Sequence, residues 1–296
     1  MTTITLLELI QDKAQLLEQA KVSFGHGTTN AFDEAAWLVL WQLGLPLDTS
    51  LEPDSLATPI VVTPNQVEQV QKLIEQRINK RQPAAYLTKE AWLQGVPFYI
   101  DERSIVPRSL IAEVIADGSI DTWLSDQTRR ALDLCTGNGS LAVILAMAYP
   151  ELSVVGADIS PDALEVAKIN RSKYEFESRI ELIESDGLSK VEGQFDLIVC
   201  NPPYVNSQSM SELPAEYLAE PTIALAGGAD GMDFIREMFQ QLPAKLSENG
   251  IVILEIGNER AYFEAAFPTL WVNWLNTSAG EDQVLLIEKD ALLSIE

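Results

Sequence analysis

The stretch ALDLCTGNGSLAVILAMAYPELSVVGAD, residues 131–158, decides the fold. It opens with the apolar run ALDLC (131–135) and turns through Thr136-Gly137-Asn138-Gly139. It continues as an apolar segment of helical length, Ser140 to Ala148, and ends in the β-branched run SVVGAD (153–158). Short apolar runs bounded by turn residues read as buried strands. A strand, a glycine turn, a helix and a second strand make one parallel crossover unit.

The same alternation continues downstream. IELIE (180–184), FDLIVCN (195–201), GIVILEI (250–256) and QVLLIEK (283–289) read as further strands. Helices are predicted over Pro161 to Lys173, Phe234 to Leu246 and Glu259 to Phe267. Together they predict an α/β fold with a mostly parallel, doubly wound, Rossmann-like sheet over residues 126–296. Ligands of such sheets sit beyond the C-terminal strand ends. The loops after residues 135, 158, 184 and 200 therefore share one rim.

Upstream the texture is helical. An amphipathic helix is predicted from Leu6 to Lys21, and Asn30, closing the loop His26 to Asn30, caps a second over Asp33 to Leu43. Pro64 opens a third, Gln66 to Arg81, with Val67, Val70, Leu73, Ile74 and Ile78 at helical spacing. Ala85 to Asp101 reads as a β-hairpin turning near Gln94-Gly95, and Val106 to Ser109 leads into a linking helix toward Trp123. The expected division is a helical N-terminal domain for substrate recognition (1–84), a hairpin and linking helix (85–125) and the sheet domain (126–296).

Composition bounds the function classes. The chain has 296 residues, 47% of them hydrophobic, which supplies a core and excludes disorder for most of its length. Twenty Lys and Arg stand against 44 Asp and Glu, a net charge of −24. Residues 1–125 carry 9 basic and 16 acidic side chains, and residues 126–296 carry 11 and 28, so neither part is basic. Nucleic-acid binding through overall basicity is excluded, because it depends on Lys and Arg neutralising phosphates. Cys135 and Cys200 cannot staple a chain of this size. With one histidine, His26, and no Cys or His cluster, no metal is expected. The first residues lack a basic n-region, and LAVILAMAY (141–149) is too short to span a bilayer. A cytoplasmic protein without membrane partners is expected. The basic residues Lys72, Arg77, Lys80 and Arg81 on the third helix are the one patch suited to RNA, with a solvated helix face as the plainer reading.

The rim carries the chemistry. Asp133, on the first strand, suits a ligand with a positive group rather than a phosphate. Asp158 ends the second strand, where a carboxylate accepts both hydroxyls of a ribose diol; capping the next helix is the alternative, although Ser160 before Pro161 makes a better cap. Asp186 can accept from an exocyclic amine or be a turn residue. The strongest signal is Asn201-Pro202-Pro203-Tyr204 directly after FDLIVC. Two prolines fix the backbone and remove two donors. The Asn201 side-chain oxygen and the Pro202 carbonyl can then accept both hydrogens of a planar NH2 group, with Tyr204 over its π face. Such a clamp suits an amide or an arylamine.

These motifs resemble the class I S-adenosylmethionine-dependent methyltransferases, and Asn-Pro-Pro-Tyr resembles the members that methylate planar NH2 groups. GHGTTNAFDEAAWLVL (25–40), INKRQPAAYLTKEAW (78–92), FYIDERSIVPRS (98–109), ISPDALEVAKIN (159–170) and LPAEYLAEPTIALAGGADGMDFIRE (213–237) are similar to the glutamine methyltransferases of large-subunit ribosomal protein three. The related release-factor enzymes typically have Pro-Arg-Pro-Asp-Thr-Glu where this chain has Pro107-Arg108-Ser109-Leu110-Ile111-Ala112-Glu113. The resemblance implies methyl transfer from S-adenosyl-L-methionine to a glutamine amide of a basic ribosomal protein, free or early in assembly, with no stable nucleic-acid partner. A release factor, or an adenine amine of a nucleic acid, is the alternative acceptor. It implies a cofactor site of Asp133, Cys135, Thr136, Gly137, Asn138, Gly139, Asp158, Ile159, Asp186, Gly187 and Asn201, and a catalytic set of Asn201, Pro202, Pro203 and Tyr204. Glu220, in Glu-Pro, is a remote candidate for accepting the amide proton. One departure is Ala279-Gly280-Glu281-Asp282, where the family has Gly-Gly-Asp-Gly.

Overall fold

A computed structural model describes residues 4–51 and 60–293, which divide into two compact units. The first comprises the chain up to Glu90 together with Pro214–Ala219, a short return of the later chain. Strands β1 (Ile4–Thr5) and β2 (Val61–Val62) pair antiparallel beside helices α1 (Leu6–Gln19), α2 (Ala31–Leu43) and α3 (Pro64–Lys80). Each helix start is written in the sequence. Thr5 with Glu8 and Thr63 with Gln66 form reciprocal capping boxes, and Asn30 accepts from the Asp33 amide at 2.9 Å. Ala84–Thr88 is a short helix, α4, not the start of a strand. Pro83 sets its entry, and the Thr88 hydroxyl bonds back to the Ala84 carbonyl at 3.2 Å.

Arg77 corrects the reading of a solvated basic face. It is fully buried. Its Nε donates to Glu34 at 2.8 Å, Nη1 to Glu216 at 3.0 Å and Nη2 to the Ser23 carbonyl at 2.8 Å. Arg81 adds a bond to Glu216 at 3.3 Å, while Lys72 pairs with Glu68 in the open. His26 is buried too, its ring 4.4 Å from that of Tyr217.

The second unit holds the hairpin β3 (Glu90–Leu93, from Ala91) and β4 (Val96–Tyr99), helix α5 (Ile111–Ala116) and the main sheet. Among the described residues the sheet has seven strands: β5 (Arg130–Leu134), β6 (Ser153–Asp158), β7 (Ile180–Glu184), β8 (Phe195–Cys200), β9 (Leu246–Glu255), β10 (Asn273–Thr277) and β11 (Gly280–Glu288). Their order is β10-β11-β9-β8-β5-β6-β7; β9 through β7 run parallel, and β11 lies antiparallel against β9 and β10. The central strands are apolar on both faces because both are covered. Leu132, Ile198, Val252 and Leu285 face one core, and Ala131, Leu197, Ile251 and Val284 the other.

Helices α6 (Ser140–Ala148) and α7 (Pro161–Lys173) complete the crossovers, and Ser160 caps α7 through the Ala163 amide at 3.2 Å. Strand β10 was missing from the sequence reading, because a short, half-exposed edge strand with mixed polarity carries little periodic signal. The departing residues Ala279 to Asp282 fall at the β10–β11 turn and the start of β11. There Ser278 is held by Glu113 through its amide at 2.8 Å and its hydroxyl at 2.6 Å.

Removing Arg77 leaves the buried Glu34 without its cation and Glu216 with Arg81 alone. Arg77→Ala is expected to cost about 3–5 kcal/mol of stability, read as a lowered urea midpoint. Lys72→Ala on the same helix is expected to leave the midpoint unchanged. Equal midpoints for both variants would contradict the triad's role.

Candidate active site

The β5 and β8 ends converge with those of β6 and β7 on a cleft of about 1090 Å³, part of it open to solvent. Of the residues proposed for the site, Cys135, Thr136, Gly137, Asn138, Asp158, Ile159, Asp186, Gly187, Asn201 and Pro203 line this cleft. Asp133, Gly139, Pro202 and Tyr204 do not.

The glycine loop is shaped by three residues with positive φ: Cys135 at 62°, Gly137 at 55° and Gly139 at 77°. Gly139 also answers a packing need, since a Cβ there would stand 3.0 Å from that of Ala167 on α7. Asn138 donates to the Ile105 carbonyl at 2.9 Å and accepts from the Ser140 amide at 2.9 Å. Asn170, fully buried on α7, donates to the carbonyls of Asn138 at 2.8 Å and Tyr99 at 2.9 Å and accepts from the Tyr99 amide at 2.7 Å. It fastens β4 to the glycine loop.

Asp133, expected to suit a ligand with a positive group, is fully buried and faces inward, away from the cleft lining. Strand alternation points its side chain to the α6 face. There Oδ2 accepts from the Thr136 hydroxyl at 2.5 Å and the Ala142 amide at 2.9 Å. It is a brace for the loop. Asp158 does reach the cleft. Its Oδ2 accepts from the Gly137 amide and Oδ1 from the Ser160 amide, both at 2.8 Å. Burial raises its carboxyl above the ordinary range, and the backbone amides oppose that rise. A carboxylate has about four lone-pair sites, so Asp158 keeps acceptor capacity for a ligand. The neighbouring Cys200 thiol and burial push the Cys135 thiol well above its usual range.

Sequence reading missed the wall formed by residues 103–109. Arg103, Ser104, Ile105, Pro107, Arg108 and Ser109 all line the cleft. Arg103 is clamped on Asp101, through Nε at 2.9 Å and Nη2 at 2.7 Å, and holds that carboxyl down at about 2. Arg108 forks onto Glu220 with two bonds of 2.7 Å, and the Val106 amide adds a third at 2.9 Å. Glu220, the remote candidate for accepting the amide proton, is buried and anchors this wall.

Tyr204 is held from its hydroxyl end. Its hydroxyl donates to Glu255 Oε1 at 3.3 Å. Glu255 closes β9, is buried, and accepts through Oε2 from the Ser109 hydroxyl at 2.5 Å and the Leu110 amide at 2.9 Å. Nothing in the run GIVILEI singled out this carboxylate except its charge at the end of an apolar strand.

Known proteins match this arrangement. A family model, the methyltransferase small domain, matches residues 119–228. The ribosomal protein uL3 glutamine methyltransferase of Burkholderia pseudomallei is 47% identical over 98% of this chain and 96% of its own. That of Bordetella pertussis is 48% identical over 97% and 96%, and that of Neisseria gonorrhoeae 44% over 99% and 97%. The crystal structure of the hMettl16 catalytic domain shares the fold, with a TM-score of 0.51 and 12% identity, over 78% of this chain and 84% of that one. The fold is that of the class I methyltransferases. Within that class, the chain belongs to the ribosomal protein uL3 glutamine methyltransferase family.

The Asp133 brace has a pH signature. Burial pushes its carboxyl from the ordinary 3.8 up to about 7. The folded protein therefore holds this proton more tightly than the unfolded chain does. The resulting stabilisation is complete below pH 3.8 and is lost as pH rises through 7. Relative to Asp133→Asn, the wild type should lose about 2 kcal/mol between pH 5.5 and 8.5 in urea unfolding. A gap that stays constant across that range would refute the assignment.

Proposed function

We propose that this protein transfers a methyl group from S-adenosyl-L-methionine to the side-chain amide nitrogen of a glutamine in ribosomal protein uL3. The observation that carries the reading is the end-to-end likeness to relatives bearing that name, which spans the glycine loop, Asp158 and the Asn201 clamp alike.

The donor set suits the cofactor. Asp158 retains acceptor sites for a ribose diol, and Asp186 is an exposed carboxylate on the same cleft. Thr136, Gly137, Asn138, Ile159 and Gly187 complete the surface against which the nucleoside would lie. When bound, the cofactor supplies an electrophilic methyl group on a sulfonium.

The chain's own task is the acceptor. An amide nitrogen is a poor nucleophile because its lone pair is shared with the carbonyl. The Asn201 side-chain oxygen and the Pro202 carbonyl accept its two hydrogens, turn the nitrogen toward the methyl group and stabilise the positive charge that develops there. Pro203, on the cleft wall, excludes water. The attacked nitrogen loses its proton readily once methylated, so Glu220 is not needed as a base. The first unit is assigned to recognition of the ribosomal protein.

The charge of −24 fits a basic partner. A protein that packs on ribosomal RNA must carry cations to neutralise phosphates. An acidic enzyme attracts such a protein while it is free and is repelled by the assembled polyanion. We place the reaction in the cytoplasm, before or early in assembly.

Labelled methyl transfer from the cofactor to free uL3, release factors, mature large subunits and nucleic acids tests the reading. Free uL3 is expected to be the preferred acceptor, at a rate that falls as salt rises. Preference for a release factor or nucleic acid would overturn the substrate assignment, and equal rates on mature subunits would overturn the timing. Asn201→Ala should cut turnover by roughly a hundredfold or more with cofactor affinity retained. Asp158→Ala should weaken cofactor binding measured by calorimetry, and an unchanged affinity would contradict the diol role.

A further inference from the structure

The loop that follows β9, Glu255-Ile256-Gly257-Asn258-Glu259, takes hold of the clamp segment at alternate residues. Glu255 accepts from the Tyr204 hydroxyl at 3.3 Å. Gly257, at φ 53°, lies so close to the same ring that a Cβ would stand 2.5 Å from Tyr204 Cε2. Glu259, buried, accepts from Asn206 Nδ2 at 2.8 Å. Asn206 in turn is fixed through the Ser209 amide at 2.9 Å.

Glu255 also reaches a second segment of the cleft lining. Its Oε2 holds the Ser109 hydroxyl at 2.5 Å and the Leu110 amide at 2.9 Å. Ser109 lines the cleft, as do Asn201 and Pro203, whereas Glu255 does not. One carboxylate behind the cleft thus ties the clamp wall to the 107–110 wall, an oxygen for each. Burying it is costly unless it accepts several hydrogen bonds, which it does. Amide methylation leaves little tolerance in the width of that gap, because a misplacement of about 1 Å can cost on the order of a hundredfold in rate.

We propose that Glu255 is a positioning residue for methyl transfer. Acting through Tyr204, it sets the orientation of Asn201–Pro203 and fixes that wall against Ser109 and Leu110. The proposal rests on the assignment of Asn201 as the acceptor of the amide hydrogens. In it, Tyr204 serves the reaction from behind the clamp.

The test is a double-mutant cycle of Glu255→Gln and Tyr204→Phe, with Asn201→Ala as reference. For each variant, kcat and KM on free uL3, cofactor affinity and thermal midpoint are measured. Each single variant is expected to lower kcat on the order of tenfold, with cofactor affinity within about twofold of wild type. The double variant is expected to be no slower than the slower single, because both act on the same Tyr204–Glu255 contact. Multiplying losses in the double variant would overturn the proposal. So would wild-type kcat in Tyr204→Phe, which removes a single oxygen and gives a reading even where a Glu255 variant is unstable. A loss of cofactor affinity matching the loss of kcat would overturn it too. Wild-type turnover in Asn201→Ala would instead overturn the clamp itself.

Discussion

The Asp158 carboxylate accepts from the Gly137 amide on one oxygen and the Ser160 amide on the other, and the cleft depends on that pair of hydrogen bonds. The glycine loop has no regular structure to hold it, and its amides at Thr136, Gly137 and Gly139 are tied to the Ala157 carbonyl, the Asp158 carboxylate and the Thr136 carbonyl. A backbone with positive φ at residues 135, 137 and 139 needs fixed partners to stay in one conformation. Asp158 supplies them from the neighbouring strand end, Asp133 from within, and Asn170 from the next helix. The loop is thereby organised before any ligand arrives, which lowers the ordering cost of binding.

The same device recurs around the cleft. Glu220 organises Arg108 and the Val106 amide, Asp101 organises Arg103, and Glu255 organises Tyr204 with Ser109 and Leu110. Each carboxylate gives up water and gains two or more donors, at least one of them cationic or a backbone amide. Charge-assisted bonds are stronger and more directional than neutral ones. A wall built from them holds its spacing better than one built from apolar contacts alone.

The local features of the site were legible in the sequence. The glycine loop, Asp158 and Asn201 stand at strand ends that apolar periodicity locates, and Ser160 and the capping boxes announce helix starts. The braces were not legible. Asn170 meets Tyr99 across 71 residues, Arg108 meets Glu220 across 112, and Ser109 meets Glu255 across 146. A single chain carries no mark of such pairings, because any Glu or Arg on an apolar background reads equally as surface. Arg77 shows the error in its sharpest form: among Lys72, Lys80 and Arg81 it looked solvated, and only the positions of Glu34 and Glu216 in space reveal it as core. Ala84–Thr88 was misread for a different reason, since five residues are too few to separate a helical from an extended period.

The two uses of acidity are separable. Glu34, Asp101, Asp133, Glu216, Glu220 and Glu255 are buried, and those with cationic partners have their field cancelled within a few ångströms. Steering of a basic partner must come from exposed acids such as Asp12, Glu18, Asp162, Glu165 and Glu237. These act at a distance, through summed potential rather than geometry, and salt screens them. The buried set acts at contact and is screened far less. A catalytic wall held by shielded carboxylates can therefore stay rigid at ionic strengths that abolish electrostatic capture. Rate loss on adding salt should then arise at encounter, in kcat/KM, while the assembled cleft keeps its kcat.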